Sequence, residues 1–199
     1  MTIRATHSAT LADRLWRGDQ ALPRKVILAI AGSLALWASA KLQVPFYPVP
    51  MTMQTFVVLV IGMAYGWRLG AATVLLYLAE GVAGLPVFAG TPEKGIGLAY
   101  MVGPTGGYLL GFVLSAALVG WLAQRGWGRN LATTFAAMAL GTAMILGIGV
   151  LWLGAVLGWD KPILEFGLYP FLPGAAFKIA LAAVVLPLAW RAAAGPDRT

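Results

Sequence analysis

Long apolar runs separated by short polar or proline- and glycine-rich breaks organise this chain. A helix needs about 20 apolar residues to cross the hydrocarbon core of a bilayer, and six stretches qualify: 25–44, 49–67, 69–85, 106–123, 131–159 and 172–191. The fifth is long enough to tilt, kink or overhang the bilayer. The third is interrupted at Glu80-Gly81 and ended by Gly84 and Pro86. No alternating period-2 pattern competes with these runs, which argues against a barrel. The pattern predicts an all-α integral membrane fold of six transmembrane helices in one domain, residues 25–191, with a polar leader at 1–24 and a polar tail at 192–199.

Composition strengthens this picture. The chain is 60% hydrophobic and 11% charged, far from the roughly 25% charged norm of soluble domains. There is no cysteine, which excludes disulfides and thiolate metal sites. The single histidine, His7, lies in the leader, and the seven carboxylates form no cluster of the kind a metal or an acid–base pair needs. A net charge of +7 first suggests nucleic acid, but the basic residues are scattered beside apolar runs and form no stripe. Nucleic acid is therefore not expected as a partner, whereas the lipid bilayer is.

Membrane topology accounts for the charge. Lys and Arg accumulate on the cytoplasmic side of short loops. With six crossings, one side holds Arg4, Arg14, Arg17, Arg24, Lys25, Arg68, Arg125, Arg129, Arg191 and Arg198, ten of the fourteen basic residues. Lys41, Lys94 and Lys161 fall on the other side, and Lys178 lies within the last span. Both termini are thus predicted to be cytoplasmic, in the inner membrane of a bacterium. The basic leader, the apolar run and the Ala38-Ser39-Ala40 end imitate a signal peptide. The leader is long and several spans follow, so an uncleaved first helix is the preferred reading.

This orientation gathers the informative residues on the outer side. The stretch PFYPVPMTMQ (45–54) is held extended by Pro45, Pro48 and Pro50 and places Thr52 and Gln54 where the second helix enters the membrane. GLPVFAG (84–90) carries Phe88, Ala89 and Gly90, and GPTGGY (103–108) carries Thr105, Gly106 and Tyr108. Glycines allow close backbone approach to a ligand. Hydroxyls, an amide and free N–H groups at the mouth of apolar helices suit a small ligand with a polar head and an apolar body. Gln54 has two readings, a ligand contact or a bond to interfacial water. Lys178 has three: snorkelling to the outer interface from a depth of about 9 Å, an ion pair with Glu80 or Glu165, or contact with an anionic ligand group. Ala31, Ala35 and Ser39 recur every four residues on the first helix, a small-residue face for packing within the chain or for docking a partner protein. Trp and Tyr near span ends, Trp190 among them, fit interfacial anchoring.

Four of these stretches, VPMTMQ (49–54), YLAEGVAGLPVFAG (77–90), GPTGGYL (103–109) and PFLPG (170–174), resemble in order and spacing the signature stretches of the BioY family. The resemblance covers most of the chain, from about Ala31 to Leu186. It implies a compact S-component-like fold of six helices, a biotin pocket near the outer face built from residues such as Thr52, Gln54, Phe88, Ala89, Gly90, Thr105, Gly106, Tyr108 and Lys178, and no catalytic residues. It also implies energy-coupling-factor transport. A transmembrane coupling subunit would dock on Ala31, Ala35 and Ser39, and two partner ATPase subunits would consume ATP, with no cofactor or metal in this chain. The alternative is a solitary carrier that moves biotin as a homo-oligomer without ATPase subunits. In the family an aspartate commonly stands three residues before the lysine, but here Ala175 occupies that place before Lys178. An intramembrane enzyme acting on lipid, or a purely structural subunit, fits the residues less well.

Overall fold

The computed structural model describes residues 10–16, 22–44, 47–93 and 95–194. The expectations for Arg4, His7, Arg17, Pro45, Lys94 and Arg198, and for most of the leader and the end of the tail, lie outside the described residues. The elements run α1 (Leu11–Leu15), α2 (Leu22–Lys41), β1 (Gln43–Val44), β2 (Met51–Thr52), α3 (Gln54–Val82), α4 (Gly97–Met101), α5 (Gly106–Gln124), α6 (Leu131–Leu157), α7 (Ile163–Gly167) and α8 (Phe171–Ala194). Among the described residues, five helical stretches are long and apolar enough to cross a membrane: α2, α3, α5, α6 and 163–193. This is a mostly helical membrane protein.

The expected separate spans 49–67 and 69–85 both overlap one helical stretch, α3, which is broken at Gly66 (φ 78°, ψ 173°). That region of backbone space is essentially open to glycine alone. The chain turns back there. A Cβ on Gly70 would lie 3.0 Å from the Gly62 Cα, although residues eight apart in a straight helix are separated by about 12 Å. Gln54 Nε2 donates to Tyr77 Oη at 2.7 Å, where a straight helix would hold them about 35 Å apart. The two legs, 54–65 and 67–82, therefore lie side by side. The expected interruption at Glu80-Gly81 is absent, since the helix continues to Val82. Gly81 instead admits the Phe88 ring, whose Cζ would stand 2.0 Å from a Cβ at that position.

The α5 helix is the centre of the bundle: 67% of its most apolar window is buried, against 28% for α2 and 22% for 163–193, which leaves those two peripheral. Glycines make α5 close-packed. A Cβ on Gly111 would meet the Ile145 Cα of α6 at 2.9 Å, and one on Gly120 would meet the Trp67 N of α3 at 2.5 Å. The core around it includes Val58, Tyr77, Phe88, Ala116, Val119, Ile145 and Leu153. Outward-facing Ile27, Ile30, Leu34, Leu151, Phe177 and Val184 are exposed, as expected of surface that meets lipid.

Gln43 pairs with Thr52 and Val44 with Met51 in a two-residue antiparallel ribbon, extended by Met53 N–H donating to Leu42 O at 3.1 Å. A short helix also stands within the leader. Thr10 caps α1 with a reciprocal box, Asp13 N–H donating to Thr10 Oγ1 at 3.2 Å and Thr10 N–H to Asp13 Oδ2 at 3.0 Å.

Candidate functional site

A pocket opens at the end of the bundle where α3, α5 and α8 begin. Val49, Pro50, Thr52, Gln54 and Thr55 form one wall; Ala89, Tyr100, Thr105 and Tyr108 form another; Phe112, Thr142, Leu146, Phe171, Ala175 and Lys178 close it. Its cavity volume is about 40 Å³, within walls that bound about 600 Å³ of empty space including part open to solvent. Every long helix except α2 contributes. The lining is mainly apolar, with a few polar groups, as small-molecule sites commonly are.

The polar groups are held by hydrogen bonds within the protein. Gln54, only 3% exposed, donates through Nε2 to Tyr77 Oη, and Tyr77 in turn donates to Val87 O at 2.9 Å. Because Tyr77 spends its proton on a carbonyl, it accepts from Gln54 and thereby fixes which way the amide faces. Gln54 Oε1 keeps only a long 3.5 Å contact from Thr52 Oγ1, which leaves it room to accept a further hydrogen bond. Tyr100 donates to Ala89 O at 2.7 Å and Tyr108 to Gly167 O at 2.7 Å. Burial pushes the Tyr100 phenol above its ordinary pKa, which keeps it a neutral donor.

Among the described residues, Lys178 pairs with no carboxylate. Its Nζ donates to Thr52 O and to Thr55 Oγ1, the latter at 3.0 Å. These contacts point the ammonium to the N-terminal end of α3 and leave it lining the pocket. Glu80 instead accepts from Ser33 Oγ across α2 and α3, and among the described residues the ion pairs are Arg24–Asp13 and Lys161–Asp160. Ala175, one turn before Lys178, presents a methyl group to the pocket in place of a carboxylate.

Of the residues singled out from the sequence, Thr52, Gln54, Ala89, Thr105, Tyr108 and Lys178 line this pocket. Phe88, Gly90 and Gly106 do not line it. Phe88 stacks on Tyr100 with centroids 4.9 Å apart and meets Tyr77 edge-on at 5.5 Å, so it supports the wall without forming it. The glycines of 103–107 serve packing: a Cβ on Gly106 would meet Met101 O at 1.9 Å and one on Gly107 the Trp152 Cβ at 2.1 Å. Trp152 Nε1 also donates to Gly103 O at 2.9 Å. Sequence reasoning missed Thr55, Tyr100, Thr142 and Phe171. Thr142 was detectable, as a hydroxyl inside an otherwise apolar span.

The loop over the pocket is fastened to α2 by Lys41, whose Nζ donates to Phe88 O (3.3 Å), Thr91 O (3.2 Å) and Thr91 Oγ1 (3.3 Å). On α2 itself, Ala31 and Ala35 are exposed, but Ser39 is buried and donates to Leu36 O at 2.8 Å. Four-residue steps drift by about 40° each around a helix, so the three do not share one exposed face.

A model of the BioY family matches residues 8–195. The chain belongs to the BioY family. Relatives include the probable biotin transporter BioY of Pyrococcus horikoshii, 34% identical over 146 residues (73% of this chain and 83% of that protein). The biotin transporter BioY of Thermotoga maritima is 33% identical over 162 residues, 81% of this chain and 93% of that protein. These relatives are transporters, and BioY is a family of transporters and not of enzymes. The crystal structure of the S-component for biotin from an ECF-type ABC transporter superposes with a TM-score of 0.73 at 22% identity, covering 88% of this chain and 95% of that one. That likeness establishes a shared fold.

Proposed function

We propose that this protein takes up biotin across the cytoplasmic membrane of a bacterium, binding it from outside in the pocket between Gln54 and Lys178. One observation carries the reading: a mostly apolar slot holds one cation, Lys178, together with neutral donors and acceptors that are already oriented. Biotin has a ureido ring that donates and accepts, an apolar sulfur-containing ring and a valerate carboxylate negative at pH 7. Lys178 offsets the carboxylate. With Ala175 unable to accept, Gln54 Oε1 and the hydroxyls of Thr52 and Thr105 serve the ureido N–H groups. A buried polar group left unmatched costs about 1–3 kcal/mol, which favours ligands that satisfy this set.

The fold-back at Gly66 supports counting 54–65 and 67–82 as two crossings, which gives six in all and puts both termini on one side. The cluster of Arg24, Lys25, Arg68, Arg125, Arg129 and Arg191 away from the pocket supports a cytoplasmic assignment for that side. In this reading the chain is the S component of an energy-coupling-factor transporter. The exposed Ala31 and Ala35 of α2, a helix outside the pocket, receive a transmembrane coupling subunit, and two ATPase subunits consume ATP. Lys41 and Trp152 hold the loops that part for entry, and inward release follows from a partner that binds two states of the carrier differently. Uptake of labelled biotin in cells with and without coupling and ATPase subunits tests the energetics. The expected result is uptake only with them; equal uptake without them identifies a solitary homo-oligomeric carrier.

A further inference from the structure

A second cavity lies at the opposite end of the bundle, remote from the pocket and unrelated to biotin. Its volume is about 430 Å³, and its walls include Thr10, Arg24, Lys25, Tyr65, Arg68 and Gln124. Three of these residues are cationic. The lining carboxylate, Asp13, is paired with Arg24 at 3.2 Å, which leaves the site with a surplus of positive charge. Lys25 and Arg68 are exposed at the rim. Arg24 is 6% exposed. Its Nη2 donates to Ala12 O at 2.7 Å and to Asp13 Oδ1 at 3.2 Å, while its buried Nε–H has no hydrogen-bond partner among the described residues.

A buried guanidinium N–H without an acceptor is costly, and arginine forks match phosphate oxygens in geometry and charge. The cavity lies where α2 begins, where the α3 legs turn at Gly66 and where α5 ends, that is, at the level where apolar helices leave the hydrocarbon. Basic pockets between helices at that level suit lipid head groups. We infer that this cavity binds a phosphate-bearing anion through Arg24, Lys25 and Arg68, supplied by the head group of an anionic phospholipid. Such a lipid would tie α1 to the junction of α2, α3 and α5, and the inference stands independently of the transported substrate.

Native mass spectrometry of the detergent-purified full chain, mixed with phosphatidylglycerol or phosphatidylcholine, tests it. Thermal-shift titrations with inorganic phosphate and glycerol 3-phosphate run in parallel. Phosphatidylglycerol should be retained over phosphatidylcholine, and K25Q/R68Q should lower retention roughly thirtyfold, the scale of losing two head-group cations. R24K keeps the cation but removes the Nε–H, and should also lower retention, with its Tm confirming that it is folded. R125Q is the control, because Arg125 stacks on Trp121 at 3.5 Å and does not line the cavity. Stabilisation by the soluble phosphates that K25Q/R68Q abolishes, without phosphatidylglycerol retention, would keep the phosphate site and overturn its lipid source. Retention unchanged in K25Q/R68Q, or lost equally in R125Q, or no response to any of the four compounds, would overturn the site itself.

Discussion

The two ends of this bundle use polar residues in opposite ways. At the pocket end, neutral groups are chained to one another and to carbonyls: Gln54 to Tyr77 to Val87, Tyr100 to Ala89 and Tyr108 to Gly167. A single cation faces the space they enclose. At the other end, arginines rest on indole rings, Arg14 and Arg129 on Trp190 at 5.6 and 5.1 Å and Arg24 on Trp16 at 5.9 Å. Cation–π contacts of this kind hold charge near a wet boundary at modest gain. Under the proposed function, the first end recognises one small molecule by donors and acceptors. The second is organised to stay at an interface.

Substitutions that separate the ends sharpen this contrast. The largest effect is expected at the basic end, at Gly66, where φ is 78° and a Cβ would meet Gln124 Nε2 at 2.7 Å and Thr10 Cγ2 at 3.0 Å. Gly66→Val should prevent the legs of α3 from folding back, seen as loss of monodisperse protein on size exclusion. Normal yield and Tm would show that the turn is not glycine-dependent. Next comes Lys178→Ala. Removing a charge-assisted partner costs about 1.5–3 kcal/mol, so biotin Kd should rise roughly 10- to 150-fold with Tm little changed, measured by calorimetry.

Gln54→Leu should weaken binding by about 1–3 kcal/mol, and, unlike Lys178→Ala, it should do so equally for biotin and for an uncharged biotin amide. Tyr77→Phe is expected to be milder, about 0.5–1.5 kcal/mol, because Tyr77 acts by aiming the Gln54 amide. A loss as large as that of Gln54→Leu would mean that Tyr77 meets the ligand itself. Smallest is Arg125→Gln at the other end, which should leave biotin Kd unchanged; a shift in Kd would break the claim that the ends work separately.

Much of this arrangement was legible in the chain. Apolar runs of bilayer length mark the helices, and the uneven placement of Arg and Lys separates the two ends before any coordinates are known. Six of the nine ligand candidates line the pocket because polar residues at a helix entrance have few other places to point. What failed had local causes. Gly106 was read as room for a ligand, whereas it makes room for Met101; a glycine reports close approach without naming the approaching atom. Ser39 was grouped with Ala31 and Ala35 by spacing, and helical drift turned it inward. The partners of Lys178, 123 and 126 residues away, arise from tertiary packing that no local pattern encodes.

Calorimetric titration of the purified protein with biotin, beside thiamine and riboflavin, tests the central claim most directly. One-site binding of biotin alone, weakened by Lys178→Ala, is the predicted result. Binding of thiamine or riboflavin, no binding of biotin, or biotin binding untouched by Lys178→Ala would contradict it.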